Sequence, residues 1–215
     1  MIKNILFDLD GTLSNPSEGI TKSVEYALNR FGIKVDNLSE LNVFIGPPLV
    51  DGFMEFYGLS EEDAQKGLLY YRERFSVVGK FENKLFPEVP DMLKELKERG
   101  KTLAIATSKP TVYTVDILKH FGIFDYFDFV SGNTLKEEHP TKEEIIENAV
   151  KALKINPEES VMVGDRKFDI NAGKYFGMKT IGCAFGFPVG NELEEAGADF
   201  IAKTPAEMKE IILSL

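Results

Sequence analysis

Ile2-Lys3-Asn4-Ile5-Leu6-Phe7-Asp8-Leu9-Asp10-Gly11-Thr12-Leu13 begins with a short apolar, partly β-branched run that stops at a carboxylate. Such a run reads as a buried strand, Ile2–Phe7, whose end opens into a loop. Residues i and i+2 on extended backbone point the same way, so Asp8 and Asp10 face one site while Leu9 turns into the core. Gly11 carries no side chain and lets backbone N–H groups come close to an anion. Asp-Gly is also a good turn dipeptide, and Asp10-Gly11 alone fits a turn as well as a site. The whole hexapeptide Asp8–Leu13, placed behind a buried strand, points to chemistry.

Working outward, the next stretch does not continue a sheet. Ile20, Val24, Ala27, Leu28 and Phe31 share one face of a helix over Ser17–Phe31, which Gly32 stops. Ser39–Phe44 reads as a short helix broken by Gly46-Pro47-Pro48. Leu49–Tyr57 and Glu61–Phe75 are two more, separated by Gly58, with Ser60 as a cap. Beyond Pro87 the rhythm alternates. Helices are expected at Pro90–Arg99, Thr111–Phe121, Thr141–Leu153, Asp169–Phe176 and Asn191–Ala196, with a last one from Pro205. Strands are expected at Thr102–Thr107, Phe127–Ser131, Ser160–Val163, Thr180–Ala184 and Phe200–Ala202. Alternation of this kind means parallel β-α-β units with right-handed crossovers. The first strand belongs to that set by character. The expected architecture is therefore α/β: a doubly wound, Rossmann-like parallel sheet over residues 1–15 and 82–215, with an all-helical cap domain inserted at 16–81.

Composition sets bounds on function. The 215 residues are 43% hydrophobic and 28% charged, an ordinary globular balance. Acidic residues outnumber basic ones, 35 to 25, for a net charge of −10, which argues against nucleic acid as the partner. A local basic pocket for one small anion stays open. Cys183 is the single cysteine, so an intrachain disulfide or a multi-cysteine metal site is excluded. Met1–Asp10 lacks the apolar region and cleavage site of a signal peptide, and no apolar run nears the ~18 residues of a membrane span. The expectation is a soluble cytoplasmic protein with no membrane partner, a monomer or small homo-oligomer.

Polar residues gather at the carboxyl ends of the expected strands: Asp8 and Asp10, then Thr107 and Ser108, then Gly164-Asp165. Ligands of open α/β sheets bind at that edge. Each has a plainer reading beside the functional one. An aspartate of Gly164-Asp165-Arg166-Lys167-Phe168-Asp169 suits a helix N-terminus. Thr107 suits a hydroxyl satisfied by backbone, and Ser108 a helix start ahead of Pro110. Cys183 reads as a small buried hydrophobe, and Phe53, Phe56, Tyr57, Tyr70 and Tyr71 as packing. Arg72 and Arg74 read as members of solvated salt pairs, and His120 as a complement to a helix end.

Asp8-Leu9-Asp10-Gly11-Thr12-Leu13 resembles the first motif of the haloacid-dehalogenase-like superfamily of phosphotransferases. The later motifs follow in that family's order: Thr107 after Leu103-Ala104-Ile105-Ala106, a lysine near Pro140, and Gly164-Asp165 with Asp169 behind it. A helical insertion after the first motif is similar to the phosphoglycolate-phosphatase-like branch, and Phe44-Ile45-Gly46-Pro47-Pro48-Leu49 resembles that branch's specificity loop. The resemblance implies Asp8 as nucleophile, forming an aspartyl-phosphate, and Asp10 as general acid and base. It implies Mg²⁺ held by the side chains of Asp8 and Asp165 and by the Asp10 carbonyl, with Asp169 holding the lysine or metal waters. Thr107 and a lysine would stabilise charge on the transferring oxygens, while Gly11, Ser108, Gly46 and Pro47 would touch substrate. The family's lysine often stands just before a proline; here His139 precedes Pro140, so Lys142 is the expected residue and Lys136 the alternative.

The implied activity is Mg²⁺-dependent hydrolysis of a small phosphomonoester, of the phosphoglycolate, nucleoside monophosphate or sugar phosphate class. Rival readings are a phosphomutase of the β-phosphoglucomutase type, a pyrophosphatase and a dehalogenase, the last needing no acid at Asp10. A non-enzymatic phospho-accepting switch also combines aspartates, threonine and lysine, but its phosphoacceptor follows a later strand.

Overall fold

The structure is a computed structural model and describes residues 1–135 and 140–215. The chain folds into two compact units, Met1–Asn15 with Leu85–Leu215, and Pro16–Lys84. In chain order the elements are β1 (Asn4–Phe7), β2 (Ser14–Asn15), α1 (Ser17–Arg30), α2 (Leu49–Tyr57), α3 (Glu61–Phe75), β3 (Lys84–Leu85), α4 (Val89–Glu98) and β4 (Thr102–Pro110). There follow α5 (Thr111–His120), β5 (Phe129–Asn133), α6 (Lys142–Leu153), β6 (Ser160–Gly164), α7 (Lys167–Tyr175), β7 (Lys179–Cys183), α8 (Glu192–Glu195), β8 (Phe200–Ala202) and α9 (Pro205–Ser214).

The first unit is a six-stranded parallel sheet in the order β5-β4-β1-β6-β7-β8. Counting only these strands, the order is 3-2-1-4-5-6, the doubly wound arrangement of the Rossmann-like α/β class. β1 lies at the centre, with Asn4 opposite Thr102 of β4 on one side and Ser160 of β6 on the other. All four of its residues are buried, as a strand covered on both faces must be. Alternation divides the side chains between two layers. Ile5, Phe7, Leu103, Ile105, Val161 and Val163 pack with Met92, Leu96, Ile117 and Met208 from α4, α5 and α9. Leu6, Ala104, Ala106 and Met162 pack with Ile145, Ile146 and Ala172 from α6 and α7.

In the second unit, α2 ends at Gly58, whose φ of 63° terminates the helix in the left-handed region. Ser60 then caps α3, its Oγ accepting from the Asp63 N–H at 3.2 Å. The short helix expected at Ser39–Phe44 is a 3₁₀ helix over Leu38–Phe44, started by Asn37, whose Oδ1 accepts from the Ser39 N–H at 3.0 Å. The cap aromatics are packing groups here: Phe44 lies 5.2 Å from Phe53 and 5.5 Å from Phe56, ring centre to ring centre.

The chain re-enters the first unit at Leu85, three residues later than the expected 82. Glu82 belongs with the helices because Arg74 clasps its carboxylate at 2.6 and 2.9 Å, Lys22 reaches it at 3.1 Å, and its carbonyl accepts from the Gly19 N–H. Arg74 is therefore a half-buried ion-pair residue rather than a solvated one. No helix among the described residues is long and apolar enough to cross a membrane.

Candidate active site

The sheet order reverses at β1, and three strands present polar residues at that edge. β1 ends at Phe7, and Asp8 follows with its N–H still donating to the Val163 carbonyl at 2.8 Å. The nucleophile candidate is thus held in line with the sheet by its own backbone.

Lys142 is the first residue of α6. The Thr141 Oγ1 accepts from the Glu144 N–H at 3.3 Å, and the Glu144 carboxylate accepts from the Thr141 N–H at 2.8 Å, which fixes the first turn. Lys142 then shares the buried face of Ile145, Ile146 and Ala149. Its Nζ lies 2.9 Å from Asp8 Oδ1 and 2.6 Å from Asp169 Oδ1, with the side chain only 6% exposed. Burial alone would lower the lysine's pKa, but the facing carboxylates of Asp169 and Asp8 outweigh it and raise the pKa above the usual lysine value. The residue is a fixed ammonium against the Asp8 carboxylate. Lys136, the alternative, and His139 lie outside the described residues.

Asp165 follows β6, and its Oδ2 accepts from the Phe187 N–H at 2.7 Å. Asp169 works in two directions. Its Oδ2 accepts from the Arg166 N–H at 3.0 Å, capping α7, and its Oδ1 takes the Lys142 ammonium. The helix-cap reading therefore holds for Asp169, which also fixes the lysine. Burial, and then the charges of Asp8 and Asp169, push the Asp165 carboxyl well above the ordinary range. Burial lifts Asp169 too, against the pull of Lys142.

Two glycines make room for these carboxylates. A Cβ on Gly164 would stand 2.1 Å from Asp169 Cγ, and one on Gly11, where φ is +78°, would stand 2.0 Å from Asp165 Oδ2. Gly11 has a reason beside the expected one. Its own N–H donates to the Ser14 carbonyl at 2.8 Å, and the missing side chain accommodates Asp165.

Carboxylate oxygens of Asp8, Asp165 and Asp169 lie within 4.8 Å of one another. Three buried acids against one lysine leave an excess of negative charge, and an all-oxygen donor set suits Mg²⁺. Both oxygens of Asp169 are engaged by Lys142 and the Arg166 N–H. Asp8 and Asp165 each keep one oxygen without a hydrogen-bond partner among the described residues. The residues present fit the metal.

Thr107 is buried near the end of β4, its Oγ1 accepting from the Lys109 N–H at 3.3 Å, while Ser108 is exposed. Here the strand runs on to Pro110 with an irregular register after Thr107, rather than stopping at Thr107 as expected. The extension brings in Lys109, which the sequence reading missed: its Nζ lies 2.7 Å from Asp10 Oδ2. Burial raises the Asp10 carboxyl, and Lys109 opposes that rise. The sequence carried one signal for Lys109, its place directly before a proline. The Phe187 N–H was missed as well, being a backbone contact that no side chain announces. Gly46 and Pro47 lie in the helical unit, in the turn before α2. Cys183 is fully buried beside Met208, as expected of a small hydrophobe.

Residues 5–183 match the haloacid dehalogenase-like hydrolase family. A 5′-nucleotidase of Pseudomonas aeruginosa is 40% identical over 211 residues, covering 98% of this chain and 96% of that one. A phosphoglycolate phosphatase of Vibrio vulnificus is 31% identical over 224 residues, covering 99% and 96%. The solved structure of a protein described as a predicted phosphatase from Clostridium acetobutylicum matches with a TM-score of 0.93 at 43% identity, over 100% of both chains.

Proposed function

The chain belongs to the haloacid dehalogenase-like hydrolases and is a phosphatase of that family, and from that premise we propose that it cleaves a small phosphomonoester through an aspartyl-phosphate on Asp8. The observation that carries this reading is the Asp8 carboxylate at the end of β1, gripped by Lys142 at 2.9 Å and grouped with Asp165 and Asp169. The side chains of Asp8 and Asp165 and the carbonyl of Asp10 are the proposed holders of Mg²⁺. When bound, the metal supplies Lewis-acid charge that offsets the repulsion between a phosphate dianion and the Asp8 carboxylate.

The residues divide the reaction between two displacements. An Asp8 oxygen attacks phosphorus, the bond to the alcohol oxygen breaks, and Asp10 gives that oxygen its proton. Asp10, now ionised, takes a proton from water as the water oxygen attacks the aspartyl-phosphate. The bond to Asp8 breaks and inorganic phosphate leaves. The Lys142 ammonium and Thr107 hydroxyl stabilise charge on the transferring oxygens, with Asp169 holding the ammonium in place. Ser108 is proposed to contact the remainder of the substrate; this rests on the resemblance of its motif.

Nucleoside 5′-monophosphates stand first among candidate substrates, because the 40% identical relative from Pseudomonas aeruginosa is a 5′-nucleotidase. Phosphoglycolate, sugar phosphates and pyrophosphate follow. A reducing cytoplasm suits a chain whose lone cysteine is free and buried. The test is phosphate release from that panel, with Mg²⁺ and with chelator, by the native protein and by Asp8→Asn. Release by the native protein that needs Mg²⁺ and falls about 10³-fold or more in Asp8→Asn is the expected result. Native-like release by Asp8→Asn would overturn the assignment.

A further inference from the structure

Lys109 is a lysine almost wholly withdrawn from water, its side chain 6% exposed, with its ammonium 2.7 Å from Asp10 Oδ2. A surface lysine keeps its head in solvent, and burying one requires a specific partner. The other Asp10 oxygen, Oδ1, is also buried and has no hydrogen-bond partner among the described residues. One carboxylate oxygen is therefore held and its twin is unengaged. The hold originates in β4, which stays extended past Thr107 and turns Lys109 to the same side as Thr107.

We propose that Lys109 is a positioning residue for proton transfer: by fixing Oδ2 it orients the Asp10 carboxyl so that Oδ1 exchanges the proton with the leaving oxygen and, later, with water. The proposal rests on the phosphatase reading above and adds to it the residue that aims the acid. Lys142 and Lys109 thereby have separate tasks, one at the nucleophile and one at the acid. Misplacement of a reacting group by about 1 Å costs on the order of 10²-fold in rate, so loss of the clamp has a large effect wherever the proton matters.

The leaving group isolates that effect. An alkoxide needs its proton as it departs, whereas p-nitrophenolate leaves readily without one. The experiment measures kcat/KM of native protein, Lys109→Met and Asp8→Asn on adenosine 5′-monophosphate and on p-nitrophenyl phosphate, with Mg²⁺ saturating. Lys109→Met should lose about 10–100-fold on the nucleotide and less than about threefold on the aryl ester. Equal losses on both esters would assign Lys109 to phosphate binding or to folding and overturn the proposal, as would no loss on either. Should Lys109→Met fail to fold, Lys109→Gln is read by the same ratio of losses. Activity surviving in Asp8→Asn would instead show that the phosphatase reading itself had failed. An inactive Asp8→Asn with equal losses in Lys109→Met removes only the role given to Lys109.

Discussion

At Asp165 the site buries a carboxyl raised well above its ordinary value by burial and then by the neighbouring charges of Asp8 and Asp169. An acid with a raised folded-state pKa destabilises the fold above that pKa, and the penalty disappears as pH falls toward the unfolded value. In metal-free protein, Asp165→Asn should therefore raise the melting temperature at pH 8 by about 2–4 °C, with the gain vanishing near pH 4. The asparagine keeps an oxygen for the Phe187 N–H. The native protein should gain about 2.7 kcal/mol from Mg²⁺ at a hundred times its Kd, and Asp165→Asn much less; thermal denaturation with and without Mg²⁺ reads both. Asp8, Asp10 and Asp165 were legible as residues because carboxylates directly after apolar strands have few other uses. Lys142 was legible by its place at the head of α6, and its position on the stripe of Ile145, Ile146 and Ala149 would have pointed it inward. The placement of Lys109 against Asp10 was not, because it depends on β4 continuing past Thr107, and a strand's last residues depend on pairing that a single segment does not display.

Elements show the same division between what local pattern carries and what packing decides. α2, α3 and β8 have the bounds that apolar periodicity and their flanking glycine, serine and proline signals imply. Where tertiary contacts set the end of a segment, the pattern falls short. The helical unit extends to Lys84 because Arg74 of α3 reaches forward to Glu82 with two hydrogen bonds and also donates to Ser23 Oγ of α1 at 3.2 Å. No periodicity encodes a contact between α3 and a residue beyond it. Arg74 holds Glu82 below the ordinary glutamate range, so the pair stabilises the fold above the unfolded glutamate value and less as pH falls through the lowered one. Arg74→Met should destabilise the protein by about 2 kcal/mol at pH 7, with the difference shrinking below pH ~4. Urea unfolding followed by circular dichroism measures it in a chain without tryptophan.

The whole molecule is a parallel sheet of order β5-β4-β1-β6-β7-β8 with a helical unit entering the chain directly after the Asp8–Leu13 stretch. That plan was readable because β-α alternation permits few topologies once crossovers are right-handed, and because the stretch from Ser17 to Phe75 breaks the alternation with helices alone. The order of strands also explains why the chemistry lies where it does. β1 sits at the reversal with β4 and β6 on either side, so residues far apart in sequence, Asp8, Lys109, Lys142 and Asp165, reach one edge of one sheet. The central claim is that Asp8 carries the phosphoryl group between the two displacements. The measurement is acid quenching of native protein during turnover of phosphorus-labelled substrate with Mg²⁺, followed by peptide mapping. A label on Asp8, released by hydroxylamine as an acyl phosphate and missing from Asp8→Asn, is the predicted result. Turnover at the native rate with no covalent label at any time after mixing, or an equal label in Asp8→Asn, would contradict the claim.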